Sequence, residues 1–138
     1  MSGPALRKVD SHAAIHEAAL QEARELTNVI GNLLKQGDRE RALETAQIAV
    51  EHWETRTLAH ADAEEKGLYK ELAKESSELH DAVTGLTRDH NIMRDLVKQI
   101  KDKLEKDGIN EDIFQQFHAL IFVDEFHNRQ EEMILPEH

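Results

Sequence analysis

Three strong turn signals divide this chain, and between them nothing stops a helix. Only six Gly and two Pro occur in 138 residues. The turn signals are Gln36-Gly37-Asp38, Glu75-Ser76-Ser77 and Asp107-Gly108-Ile109-Asn110. Each combines a helix-ending or flexible residue with a side chain that can cap the next helix. A first helix is expected from Asp10 or Ser11 to Lys35, and a second from Arg39 to Lys74. The third should run from Ser76 or Ser77 to Lys106, and the fourth from Asn110 to Leu135, where Pro136 ends it. Within them, apolar residues recur at three- and four-residue steps. Ala46, Val50, Trp53, Thr57, His60, Glu64 and Leu68 make one stripe; Val83, Leu86, His90, Met93, Val97, Ile100 and Leu104 make another. Sustained strand-like alternation is missing. The predicted fold is all-α, an up-down-up-down four-helix bundle over residues 11–138, preceded by a flexible arm at 1–10.

A chain of this length is one domain, able to bury about two-thirds of its unfolded surface. The formal charge of −11 argues against nucleic acid or an anionic membrane as partner, since phosphate binding needs clustered Lys and Arg. No apolar run is long enough to span a membrane, and no signal peptide opens the chain, so a cytoplasmic location is the expectation. The absence of cysteine excludes disulfides and thiolate metal sites.

What the charge leaves open is a cation, and the histidines point there. His60 and Glu64 form a His-x-x-x-Glu pair, and His127 and Glu131 repeat it. Residues four apart share a helix face, so each pair can aim an imidazole and a carboxylate at one point. The other two helices each contribute one His, His16 and His90. An inward His taken singly is more often a hydrogen-bonded core residue than a ligand, and one His-x-x-x-Glu pair is more often solvated surface. Their depths argue otherwise. His16 lies 21 residues before Gly37 and His60 lies 23 after it. His90 lies 18 before Gly108 and His127 lies 19 after it. Glu64 and His90 are equidistant from Ser77. At about 1.5 Å of rise per residue, these offsets leave all six side chains within about 3 Å of one level. Imidazoles and carboxylates inside a bundle are costly alone and stable as ligands of transition metals. His12, one turn before His16, is the alternative first-helix ligand. His52, His80, His118 and His138 fall off the layer.

The ordered set His16, His60-x-x-x-Glu64, His90, His127-x-x-x-Glu131 resembles the hemerythrin-like, or HHE cation-binding, family over residues 11–135. The resemblance implies a non-haem centre of two iron ions, oxo- or hydroxo-bridged, with manganese a possible substitute. In it Glu64 and Glu131 would bridge, His16 and His60 would bind one iron, and His90 and His127 the other. The chain departs from oxygen-carrying hemerythrins in two places. Their additional third-helix His is replaced by Leu86, and their last motif, His-x-x-x-x-Asp, is shortened to His127-x-x-x-Glu131. One iron therefore lacks an imidazole, and Glu65, Asp89 and Glu132 are candidates to fill open positions. Tyr69, five residues after Glu64, is off the ligand stripe and makes an unconvincing radical or proton donor.

The function expected is a di-iron protein that binds or senses O2 or a reactive oxygen or nitrogen species. Trp53, Leu86, Met93, Leu120 and Ile134 would keep the centre dry. The alternatives are a di-iron enzyme that decomposes peroxide or acts on nitric oxide, and an iron-binding or iron-responsive protein. Without a legible acid–base residue, no turnover is assigned.

Overall fold

The computed structural model describes residues 4–135, with side chains described from residue 13 onward. Among these, every regular element is helical. Helix α1 covers Pro4–Lys35 and begins ahead of the Asp10 and Ser11 caps suggested by the sequence. Gly37, at φ 78°, makes the first turn in a conformation natural to glycine. Asp38 then accepts a hydrogen bond from the Arg41 amide and caps α2, Arg39–His52. Ser76 and Asn110 cap α5 (Ser77–Asp107) and α6 (Glu111–Ile134) in the same way. Gly108, at φ 69°, turns the chain between them. The expected Pro136 stop lies outside the described residues.

The second arm of the bundle departs from the straight helix expected over residues 39–74. It is built from α2, a π-helical segment at Trp53–Leu58, α3 at Ala59–Lys66 and α4 at Leu68–Glu75. The break between α3 and α4 falls at Gly67, whose backbone leaves the helical region at φ −115°, ψ −91°. Both disturbances adjoin the polar layer of the bundle. Wide π turns concentrate beside functional sites.

The four arms bury their apolar stripes in two separate clusters. The larger lies toward the Gly37 and Gly108 turns and includes Trp53, Ile30, Met93, Ile100, Phe117 and Leu120. The smaller, Tyr69, Leu72, Val83, Leu86 and Leu135, closes the opposite end. Hydrophobic burial of this kind is the main source of bundle stability. Gly85 sits on the exposed face of α5, where no packing is lost. Between the two apolar clusters lies a slab of buried polar residues.

Candidate metal centre

The slab holds His90, His127, Glu64 and Glu131, all buried. His16 and His60 stand at its edge, with 12% and 22% of their side chains exposed. All six residues singled out from the sequence converge. Two groups place their ligand atoms within 4.8 Å of one another: Glu64 with His90, His127 and Glu131, and Glu64 with His16 and His60. Glu64 belongs to both. Glu131 also touches both, with Oε2 3.3 Å from His127 Nε2 and Oε1 3.5 Å from His16 Nδ1. Glu64 Oε1 lies 3.4 Å from His90 Nε2, and its Oε2 lies 3.6 Å from Nε2 of both His16 and His60. Each carboxylate therefore spans the gap between two pairs of imidazoles.

The tautomers of the inner imidazoles are fixed from outside the layer. His90 Nδ1 lies 2.8 Å from Glu65 Oε2, and His127 Nδ1 lies 3.0 Å from Asp89 Oδ2. A carboxylate can only accept, so both Nδ1 atoms carry the proton and donate. Arg94 in turn holds Glu65 and Asp62, at 2.6 Å and 2.7 Å. The two Nε2 atoms consequently face each other at 3.0 Å across the slab. If both imidazoles are neutral, two lone pairs point into the same space, an arrangement that needs a cation between them. Desolvation alone would lower the His127 pKa, but hydrogen bonding and charge from Glu131 and Asp89 push it up to about 9. In that state a proton supplies the positive charge that a metal ion would otherwise bring.

Glu65 and Asp89, considered from the sequence as fillers of open positions, thus stand behind the imidazoles. Such carboxylates orient the ring and raise its basicity as a ligand. Glu132 is exposed on the outside of α6 and lies away from the layer. His12 lies outside the described side chains. His52, off the stripe by spacing, is buried for a structural purpose: its Nε2 lies 2.8 Å from the Ala19 carbonyl, tying α2 to α1. His80 is exposed, and His118 packs edge-on against Phe114 on α6.

Tyr69 corrects the sequence expectation. Its hydroxyl donates to Glu131 Oε2 and stands 3.5 Å from His90 Nε2 and 3.4 Å from His127 Nε2. Its ring stacks on His90, with centroids 5.4 Å apart and planes 7° from parallel. On an unbroken helix, residue 69 would point well away from residue 64. The break at Gly67 re-aims α4 and turns the phenol inward. Burial, with the Glu131 and Glu64 carboxylates, pushes its pKa far above the usual tyrosine range.

A cavity of about 30 Å³ adjoins the layer, bordered by all four imidazoles, with Thr57, Met93, Asp124 and Asn128 among its other walls. This is room for a water-sized or diatomic molecule. Thr27, Thr45, Thr55 and Thr84 each donate to the carbonyl four residues back. Thr57, inside the π segment, makes no such bond, and its Oγ1 and Asn128 Oδ1 have no hydrogen-bond partner among the described residues. Burial raises the Asp124 carboxyl to about 7.

The residues fit a metal centre by their own chemistry: nitrogen and oxygen donors only, Nδ1 atoms held from outside, facing Nε2 atoms, and two shared carboxylates. No helix among the described residues is long and apolar enough to cross a membrane. Comparison with known proteins finds no match among curated proteins or solved structures. It does find one family, the hemerythrin HHE cation-binding domain, whose pattern matches residues 7–137. With nearly the whole chain matched and a buried His/Glu cluster able to hold a cation at its centre, the protein belongs to the hemerythrin HHE family.

Proposed function

We propose that the protein holds two iron ions and uses them to bind or sense O2 or a reactive oxygen or nitrogen species. His90 and His127 would hold one ion, His16 and His60 the other, with Glu64 and Glu131 shared. The observation that carries this reading is the 3.0 Å approach of two Nδ1-protonated imidazoles, between carboxylates that reach both sides. Without a metal this approach is relieved by a proton on His127, in the place where an ion would sit. Manganese suits the same donors, and iron is preferred on the family's chemistry.

A pair of ferrous ions supplies two electrons to a small oxidant. The chain's part is to admit, orient and enclose. The cavity beside the four imidazoles limits the ligand to a few atoms, and Met93 and Ile15 give it apolar wall. Trp53 and Leu120 seal the layer from the large apolar cluster, and Leu86 from the small one. Arg94, Glu65 and Asp89 keep the imidazoles in place when the charge of the centre changes. No residue is committed to turnover.

A second reading, decomposition of peroxide, has one observation in its favour. Thr57 Oγ1 and Asn128 Oδ1, both without hydrogen-bond partners among the described residues, belong to cavity-lining residues. Peroxide carries protons to donate to such acceptors, whereas O2 does not.

Anaerobic loading with ferrous iron, followed by O2 and then vacuum, separates the readings. A visible spectrum that appears and reverses is expected for a binding or sensing role. Irreversible oxidation, with O2 evolved from added peroxide, would favour the enzyme. A chain that takes up less than about one iron would end both.

A further inference from the structure

We infer that Tyr69 is itself a metal ligand of this centre, its phenolic oxygen binding the ion held by His90 and His127. The inference rests on the two-metal reading above and adds a donor that the His and Glu pattern does not contain.

Three observations converge. The hydroxyl oxygen lies within 3.5 Å of the Nε2 atoms of both inner imidazoles and donates to a carboxylate proposed as a bridge. Three candidate donor atoms from two helices, α5 and α6, thus surround one oxygen, so an ion placed among them meets it too. Next, the residue is buried and clamped. It is 2% exposed, its ring lies flat on His90, and Leu72, Val83 and Leu86 pack around it. A phenol held that firmly delivers its oxygen at small entropic cost. Finally, Leu86 is the α5 position where a further His was looked for. Leu86 and Tyr69 occupy the same apolar cluster. The shorter, nonligating Leu86 leaves room at that end of the layer, and α4, redirected at Gly67, fills it with Tyr69.

The chemistry suits a hard trivalent cation. Coordination forms a metal–oxygen bond and breaks the phenolic O–H bond, the proton leaving to solvent. Around the metal-free residues, carboxylates and burial favour the neutral phenol. A bound cation reverses that preference, since its own charge dominates the local field. An anionic oxygen donor also favours the ferric over the ferrous state, which suits a centre that registers oxidation.

The test is unusually direct because Tyr69 is the only tyrosine in the chain. The full-length protein is loaded anaerobically with ferrous iron, its iron content measured, and the centre oxidised with ferricyanide. Resonance Raman excitation into the visible band should then show tyrosinate ring modes. These should vanish on dithionite reduction and be lost in Tyr69→Phe. A wild-type protein that carries its full iron without tyrosinate modes would overturn the ligand assignment and leave the two-metal reading standing. Modes that persist in Tyr69→Phe at equal iron content would also overturn it. Failure of the wild type to take up iron would overturn both. Should the variant not retain iron, the wild-type spectrum alone still decides, since no other residue can supply the signature.

Discussion

The two sides of the polar layer are built to different standards. On one side, His90 and His127 are 2% exposed, each with its Nδ1 held by a carboxylate, and Tyr69 stacks on His90. On the other, His16 and His60 are 12% and 22% exposed and meet edge to face. One side is preorganised by its surroundings; the other is more open to solvent. The comparison teaches that the layer has a holding side and a looser, more exposed side, with Glu64 and Glu131 reaching both.

Removing the coupling should have the largest effect. Glu64→Ala or Glu131→Ala takes a donor from both sides, and iron content should fall from about two per chain to well below one. Loss of only half the iron would show that the carboxylates are not shared.

The asymmetry itself is tested by His127→Ala against His60→Ala in metal-free protein. His127 is paired with Asp89 and Glu131 in a buried setting, so its removal should cost about 3 kcal/mol. His60 is more exposed and its loss should cost about 1 kcal/mol or less. Chemical denaturation reads both, and equal costs would erase the distinction. His118→Ala should leave iron content unchanged.

Smaller effects probe the supports. Asp89→Asn keeps the shape but weakens the anchor of His127, and metal affinity should fall about 10- to 100-fold by competition with a chelator. An unchanged affinity would deny Asp89 its orienting role. The least effect concerns Asp124. Its folded carboxyl is raised from 3.8 to about 7, so the folded state binds the proton more tightly than the unfolded one. Its contribution is therefore most favourable below about pH 4 and is lost as pH rises toward 7. In metal-free protein, Asp124→Asn should gain about 1 kcal/mol over wild type at neutral pH, with the difference closing near pH 4. A variant less stable than wild type at neutral pH would contradict this.

Much of this was legible in the chain because it depended on counting. Gly37, Ser77 and Gly108 marked the turns, and distances from them placed six side chains at one level. Counting failed where the helix was not straight. Gly67 breaks the second arm, and a stripe drawn through it hid Tyr69 on the wrong face. The π segment likewise gives no sequence signal beyond ordinary helix formers. Glu65 and Asp89 were visible as acids next to the motifs. Which imidazole nitrogen they would meet depended on how α5 packs against α3 and α6, which periodicity does not encode.

The central claim is that both sides of the layer hold metal and share their carboxylates. Anaerobic titration of the metal-free protein with ferrous iron, followed by calorimetry, measures it most directly. The expected result is saturation at about two irons per chain, with the holding side filling first and His60→Ala saturating at about one. Saturation at one ion in the wild type, or weak uptake without a break, would contradict it.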